Sequence, residues 1–272
     1  MENHTHYNGH VQQTTAARLL DLNREFYAAH ARDFSETRLR LQRGVQRIVK
    51  GLRGDETILD LGCGNGELAR ALSRRGHRGS YVGLDFSLAL LKEAQREPFS
   101  FPVQFMQADL AHLESLTLSH ATSPAAAAPG AALPPATDSG WADSEHWSLI
   151  TAFAVLHHIP SRSLRHALLE RVHDWLEPDG SFIHSNWQFM DSPRFRARLQ
   201  PWGTLGLTNA EVDTGDCLLD WRRGEKGLRY AHQFSEPELG ELAAAGGFRI
   251  KETFYSDGAD RRSGLYQVWG RD

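Results

Sequence analysis

The spacing of apolar and polar positions changes near residue 57, and the change separates two kinds of structure. From about Thr15 to Leu52, aliphatic and aromatic residues recur at helical spacing, which predicts two helices. After it, short apolar runs alternate with helical segments: ILDLG, a helix over 67–75, YVGLD, a helix over 87–96, and VQFMQAD. This βαβαβ order is typical of a parallel sheet with crossover helices.

The alternation is interrupted once and then resumes. Residues 118–146 are rich in Pro, Ala and Gly and contain neither Lys nor Arg, which predicts a flexible insertion. A strand in WSLITAFAVLHH, a helix over 161–176, a turn at 177–180 and a strand in SFIHSNWQF follow. Residues 191–229 are irregular, rich in Trp and Arg, and come after a strand end, so we expect them to form a cap.

The end of the chain completes the predicted sheet. SEPELGELAAAGG has the pattern of a capped helix closed by two glycines, and FRIKETFYSD and GLYQVWG have the pattern of strands. We therefore expect an α/β fold: a seven-stranded, mostly parallel sheet with an antiparallel last strand and helices on both faces. Residues 1–15 are expected to be a disordered terminus, 16–55 a helical extension, and 56–272 the main domain.

Composition excludes several classes of protein. A net charge of −4 over 272 residues argues against non-specific coating of nucleic acid, because such binding depends on neutralising phosphates. The sequence has no run of about 18 apolar residues and no signal-peptide pattern, so we expect a soluble cytoplasmic protein. Cys63 and Cys217 are too few for a disulfide framework or a cysteine zinc site, and we predict no metal site.

One segment departs from the acidic balance of the whole chain. Residues 38–53 contain six basic side chains and no acidic one: Arg38, Arg40, Arg43, Arg47, Lys50 and Arg53. Such a run is either a solvated helix face or a docking surface for phosphates, and the sequence leaves both open.

Candidate chemistry is concentrated where predicted strands end. Gly62, Gly64 and Gly66 alternate in a loop that follows an apolar strand and opens a helix. Glycine tolerates positive φ and lets a ligand approach the backbone, and a helix N-terminus favours negative charge. Asp85 ends the second strand, where an acid accepts ribose hydroxyls, and Asp109 ends the third, where an acid accepts from an adenine amino group. Taken one at a time, the glycines also fit a tight turn, Asp85 a helix cap and Asp109 the start of a turn.

With the glycine loop, Asp85 and Asp109 at successive strand ends, the sequence resembles the class I S-adenosylmethionine-dependent methyltransferases, which have a Rossmann-like fold. The resemblance runs from about Thr57 to the C-terminus. The Asp-x-Gly-x-Gly-x-Gly order distinguishes it from the Gly-x-Gly-x-x-Gly of nicotinamide proteins. The resemblance implies S-adenosylmethionine as cofactor, with Asp60, Gly62, Gly64 and Gly66 in its loop, Asp85 on the ribose, Asp109 near the adenine, and Leu110 and Phe153 lining the pocket.

A narrower resemblance covers most of the chain. FYAAHARDFSETR, AVLHHIPSRSLRHALL and GDCLLDWRRGEKGLRYAHQFSEPEL are similar to segments of the methyltransferases that esterify 5-carboxymethyluridine at the tRNA wobble position. Residues 39–42 (LRLQ) stand where that family usually has Pro-Trp-Pro. The likeness implies tRNA as substrate, sometimes a small zinc-binding activator subunit, Tyr27 and Arg38 at the cofactor carboxylate, and a substrate side formed by His157, Arg229, Tyr230 and His232.

Two other functions remain open from the sequence. A small-molecule O- or C-methyltransferase with a hydroxyl acceptor needs a general base, for which His157 is slightly preferred over His158. A catalytically silent partner subunit is the alternative of another class, because folds of this kind are reused as scaffolds. Trp187, Trp202 and Trp221 fit either stacking on a base or the protein core.

Overall fold

The central sheet has the predicted number and direction of strands. The computed structural model describes residues 11–37, 40–113, 146–222 and 226–272. Seven strands lie in the order β3-β2-β1-β4-β5-β10-β9. β1 to β5 are parallel to one another, and β10 is antiparallel to both β5 and β9. The antiparallel strand is therefore the last one, as predicted. The strands are β1 Ile58–Leu61, β2 Tyr81–Asp85, β3 Val103–Gln107, β4 Trp147–Phe153, β5 Leu176–Trp187, β6 Leu199–Gln200, β7 Asp216–Trp221, β8 Gly227–His232, β9 Phe248–Ser256 and β10 Gly264–Arg271.

Helices cover both faces of this sheet. Apolar residues of α2, α3 and α4 pack on one face, and those of α5 and α7 pack on the other. The predicted caps are present: the Ser235 hydroxyl accepts from the Glu238 backbone N–H, and Gly247 follows α7 at φ +74°. The helices are α1 Gln13–Thr37, α2 Arg43–Gly51, α3 Glu67–Arg74, α4 Leu88–Ala94, α5 Arg162–Trp175, α6 Pro193–Arg196 and α7 Glu236–Ala245.

Some local expectations are corrected. α1 begins at Gln13, and Val11 and Thr15 are buried, so the expected disordered terminus includes ordered residues. The predicted turn at 177–180 lies inside β5, where the register with β4 shifts from Trp147 opposite Leu176 to Leu149 opposite Ser181. Four residues are thereby accommodated as a bulge. Arg38 and the insertion predicted over 118–146, apart from His146, lie outside the described residues.

The segment expected to be irregular, 191–229, contains regular structure. β6, β7 and β8 form a separate antiparallel sheet. One face, with Leu218 and Tyr230, packs on Leu19 of α1. The other face, with Leu219 and Ala231, packs on Phe189. The small sheet therefore connects α1 to the segment that follows β5. No helix in the described ranges is long and apolar enough to cross a membrane.

The close approach of β2 to the loop after β1 gives a stability prediction. A Cβ added at Gly83 would lie 2.8 Å from Cys63 Sγ and 2.9 Å from Phe105. Gly83→Ala is therefore expected to lower the free energy of unfolding by about 1–3 kcal/mol through overpacking. In α7, a Cβ at Gly240 meets nothing within 4 Å. Gly240→Ala is the matched control and should leave stability unchanged or raise it by up to about 1 kcal/mol. Urea unfolding of both variants measures the contrast, and equal losses would contradict it.

Candidate cofactor-binding site

A cavity of about 190 Å³ lies at the carboxyl edge of the parallel strands. The loops after β1, β2, β3 and β4 form its floor, and α1 with the segment before α2 forms its cover. Its polar lining residues include Asn23, Arg24, Tyr27, Arg40, Gln42, Asp60, Asn65, Glu67, Asp85, Asp109 and His158. Its apolar lining residues include Leu20, Leu41, Val45, Leu68, Phe86, Leu90, Leu110, Phe153, Val155 and Ile159.

The three loop glycines serve different purposes, although all have positive φ. Gly62 and Gly66 are needed for packing as well, because an added Cβ would lie 2.5 Å from Val155 Cγ2 and 2.8 Å from Ala94 Cβ, respectively. Gly64 lines the cavity at φ +56°, and an added Cβ there meets nothing within 4 Å. The backbone at Gly64 is thus open to a ligand.

Asp85 ties this loop to the next strand and helix. Its Oδ2 accepts from the Gly64 backbone N–H at 2.9 Å, and its Oδ1 accepts from the Ser87 N–H at 2.8 Å. Burial raises the pKa of Asp85 to about 6, and hydrogen bonds from the Ser87 and Gly64 N–H groups limit the increase. Because the Asp85 carboxylate also lines the cavity, it can accept further hydrogen bonds from a ligand.

Asp60 supports the loop from inside the fold. Tyr81 donates to its Oδ2 at 2.6 Å and Thr151 donates to its Oδ1 at 2.7 Å, so three neighbouring strands meet at one carboxylate. Burial raises the pKa of Asp60 to about 6, against the effect of these two hydroxyls. Both oxygens are engaged within the protein, which indicates that Asp60 orients the loop.

Asp109 is held by α1. The Arg24 guanidinium pairs with Asp109 Oδ2, His112 Nδ1 lies 2.9 Å from the same oxygen, and the Ala111 N–H donates to Oδ1 at 3.0 Å. Burial alone would raise the pKa of Asp109, but these hydrogen bonds and the Arg24 charge hold it below its ordinary value. The acid predicted at the adenine is therefore also an anchor for the cover of the cavity.

A Tyr–His pair forms another part of the wall. The Tyr27 hydroxyl lies 2.8 Å from His158 Nε2, and His158 Nδ1 lies 3.1 Å from the Tyr230 carbonyl oxygen. A carbonyl only accepts, so Nδ1 carries the proton, and in the neutral ring Nε2 accepts from the phenol. Asn23 fixes the same carbonyl, donating to it at 3.2 Å.

Most residues predicted at the cofactor are brought together. Those that line the cavity are Tyr27, Asp60, Gly62, Gly64, Asp85, Asp109, Leu110 and Phe153. Gly66 is the N-cap of α3 and does not line the cavity.

The structure separates two residues predicted on the substrate side from the cavity. Tyr230 and His232 are fully buried: the Tyr230 hydroxyl donates to Asp216 Oδ1 at 2.6 Å, and the His232 ring nitrogens lie 2.6 Å from Asp216 and 2.8 Å from Glu238. Although burial opposes it, these contacts raise the pKa of His232. Because side chains alternate along a strand, Tyr230 and His232 share one face of β8, and both contact Asp216 there.

His157 and Arg229 also lie away from the cavity lining. His157 is buried and its Nδ1 accepts from the Trp187 backbone N–H at 3.4 Å, whereas the neighbouring His158 lines the cavity. The sequence preferred His157, but the 3-10 turn at 156–158 directs the neighbouring His158 ring into the cavity lining instead. Arg229 is buried among aromatic side chains.

Other lining residues had no signal in the sequence. Arg24, Asn23 and Gln42 reach the cavity only because α1 and the start of α2 fold over the sheet. Among the described residues of 191–229, none lines the cavity. The cover expected from that segment comes instead from the N-terminal extension.

Comparisons with known proteins place this geometry in a family. A family model described as a methyltransferase domain matches residues 29–253. A 2-phytyl-1,4-naphtoquinone methyltransferase from Thermosynechococcus vestitus is 46% identical over 55 residues, 20% of this chain and 24% of that protein. The chain spans less than a third of the length of the curated relatives it matches.

Solved structures share the fold over most of the chain. A SAM-dependent methyltransferase from Methanosarcina mazei has a TM-score of 0.59 at 18% identity, covering 83% of this chain and 96% of that one. Magnesium protoporphyrin IX methyltransferase from Synechocystis PCC 6803 with bound SAH has a TM-score of 0.53 at 18% identity, covering 85% of this chain and 83% of that one. Because the family model spans the parallel strands β1 to β5, the glycine loop and its acids, the chain belongs to the methyltransferase-domain family.

Proposed function

We propose that this protein is an S-adenosylmethionine-dependent methyltransferase that binds its cofactor in the cavity above Gly64. The observation that carries the proposal is the open backbone at Gly64 beside the buried Asp85 carboxylate. The donor set fits the group: Asp85 accepts the ribose hydroxyls, and Asp109 lies where the adenine amino group is expected. Asp60 keeps the loop in shape, while Leu110 and Phe153 supply apolar walls.

The protein's part in the reaction is to align its ligands and exclude water. When bound, the cofactor supplies an electrophilic methyl group on a sulfonium. The α1 cover, held by Arg24 on Asp109 and by Tyr27 on His158, encloses the site and restricts access of solvent. No described residue has to act as a base for a carboxylate acceptor, because a carboxylate is already ionised near pH 7.

The first candidate acceptor is the carboxymethyl group of a tRNA wobble uridine in the cytoplasm, with or without a small zinc-binding activator. Its support is the similarity of the three sequence segments given above. The basic stretch adds little support, because Arg47 pairs with Glu252 over Phe254 and Arg53 lies 3.2 Å from Asp55. These contacts favour the solvated-face interpretation for part of that stretch.

The second candidate acceptor is a hydroxyl group on a small molecule. Its support is the Tyr27–His158 pair in the cavity wall, since His158 Nε2 can take a proton through the phenol. The relatives' names, a naphthoquinone and a porphyrin methyltransferase, are consistent with small-molecule acceptors.

Asp85→Asn is expected to weaken S-adenosylmethionine binding by about 1.5–3 kcal/mol, because a charge-assisted acceptor for the ribose is lost. The amide keeps the side-chain size, and its single oxygen can still accept from one of the two backbone N–H groups, that of Gly64 or that of Ser87. Isothermal calorimetry measures the change, and Glu93→Gln, on the far end of α4, is the control expected to bind normally. Unchanged affinity in Asp85→Asn would show that the pocket is wrongly assigned.

The raised pKa of Asp85 predicts how cofactor binding depends on pH. Ribose hydroxyls donate to the ionised carboxylate, and its pKa is about 6, so affinity is full above that pH and is lost as pH falls through it. The dissociation constant should rise up to about tenfold per pH unit below 6. Asp85→Asn should be flat over the same range, whereas Asp60→Asn should retain the dependence. A pH-independent wild type would contradict the prediction.

The acceptor is decided by a paired transfer assay. Purified protein is incubated with labelled cofactor and either tRNA carrying carboxymethyluridine, with and without a candidate activator, or a small-metabolite extract. The tRNA candidate predicts label in a base-labile ester and little effect of Tyr27→Phe, because a carboxylate needs no proton removal. The hydroxyl candidate predicts label on a metabolite, with Tyr27→Phe lowering turnover and shifting its pH profile. Cofactor binding without transfer to either would indicate the silent partner.

A further inference from the structure

Arg229, on β8, is a buried cation for which the described part of the chain supplies no acceptor. The residue is 7% exposed, and its Nε has no hydrogen-bond partner. Within the described ranges, no carboxylate forms an ion pair with Arg229, and no other group accepts a hydrogen bond from it. A guanidinium carries five N–H donors, and a buried charge without a partner is strongly unfavourable. A buried donor without an acceptor therefore points to a ligand that supplies one.

Aromatic rings surround this guanidinium without satisfying its hydrogen bonds. Its carbon lies 4.7 Å from the ring centre of Trp187, 5.5 Å from that of Phe26 and 5.6 Å from that of Trp221. Cation–π attraction offsets part of the cost of burial, but ring faces accept no N–H donor in the way an oxygen does. Trp221 Nε1 is itself buried without a partner. Two unsatisfied donors therefore lie in one cluster, the Arg229 box, formed by Arg229, Phe26, Trp187 and Trp221.

Further positive charge lies around the Arg229 box. Burial and the charge of Arg194, followed by Arg222 and Arg229, lower the pKa of Arg198, against the effect of Asp220. Asp220 is engaged by Arg222, whose Nε lies 2.8 Å from Asp220 Oδ2. The arginines thus outnumber the acid here, which favours an anion over a neutral ligand.

The Arg229 box adjoins the proposed catalytic cavity. The Phe26 ring lies 5.1 Å from that of Tyr27, which lines the cavity, and the Trp187 N–H donates to His157, whose ring is 4.3 Å from that of His158. A group held in the box therefore lies just behind the Tyr27–His158 wall. A ligand that occupies both the cavity and the box must therefore extend past this wall.

We propose that the Arg229 box is a binding subsite for a carboxylate of the methyl acceptor other than the group that receives the methyl, because the box lies outside the cavity. The guanidinium can donate two parallel N–H bonds to the two oxygens of a carboxylate, whose single negative charge balances that of Arg229. A phosphate dianion would carry an excess charge into the aromatic surroundings. That the carboxylate belongs to the acceptor rests on the proposed function, whereas the existence of the subsite rests on Arg229 and its neighbours alone.

The test uses the full-length protein and simple anions. Thermal unfolding is followed in sodium acetate and sodium succinate at constant ionic strength, against sodium chloride and sodium phosphate, with Trp fluorescence as a second signal because Trp187 and Trp221 flank the site. The wild type should show a saturable rise in melting temperature of several degrees with carboxylate only. In chloride, Arg229→Met should melt at the same temperature as the wild type or higher, because it removes an unpaired buried charge, and its response to carboxylate should vanish.

Controls separate a ligand site from a packing role. Arg194→Met removes an exposed arginine of the same region and should keep the saturable response. Arg229→Gln is a second variant of the same charge change, so that the loss of response does not depend on one substitution. The proposal is overturned if the wild type does not respond, if phosphate acts as well as carboxylate, if either Arg229 variant responds like the wild type, or if both unfold in chloride. Cofactor binding is measured separately and should be unchanged in Arg229→Met. If the wild type does not bind the cofactor, that result counts against the proposed function and not against the subsite.

Discussion

The Asp85 carboxylate is shared between the Gly64 N–H and the first turn of α4, and the geometry of the site depends on this sharing. The rest of the loop after β1 is held by the Gly62 and Cys63 N–H groups, which donate to the Leu84 carbonyl oxygen, and by one turn bond from the Gly66 N–H to the Cys63 carbonyl oxygen. One buried acid at the end of β2 therefore fixes both the glycine loop and the next helix. Because the same acid is buried, its pKa is raised, so structure and ligand compete for one group.

Two clusters of buried polar groups lie on opposite sides of β8, and they do different work. On one side, Tyr230 and His232 meet Asp216 in a fully satisfied network. On the other, Arg229 stands among aromatic rings without an acceptor. Alternation of side chains along a strand places neighbours in sequence in these unlike surroundings. Satisfied groups stabilise the small sheet, whereas the unsatisfied one indicates a ligand.

Helix α1 connects the small sheet to the cavity. Its Leu19 packs on Leu218 and Tyr230, while Arg24 and Tyr27 face the site and contact Asp109 and His158. The N-terminal extension is therefore the cover of the site, and the small sheet is its support. The small sheet thus meets the cavity wall in two ways, through α1 and through the Tyr230 carbonyl oxygen, which lies 3.1 Å from His158 Nδ1.

The sequence by itself determined the order of strands and helices in the seven-stranded sheet, the antiparallel last strand, and the floor of the cavity at Gly64, Asp85 and Asp109, but not the strands of the small sheet. These are encoded locally, because periodicity, caps and strand-end acids each depend on a few adjacent residues. Only the tertiary structure decided which residues cover the site. Arg24 meets Asp109 across 85 positions, His158 and not His157 turns into the cavity, and His232 turns away from it. Such contacts depend on how α1 and β8 lie against the sheet, and no pattern of neighbouring residues specifies a contact between segments so distant along the chain.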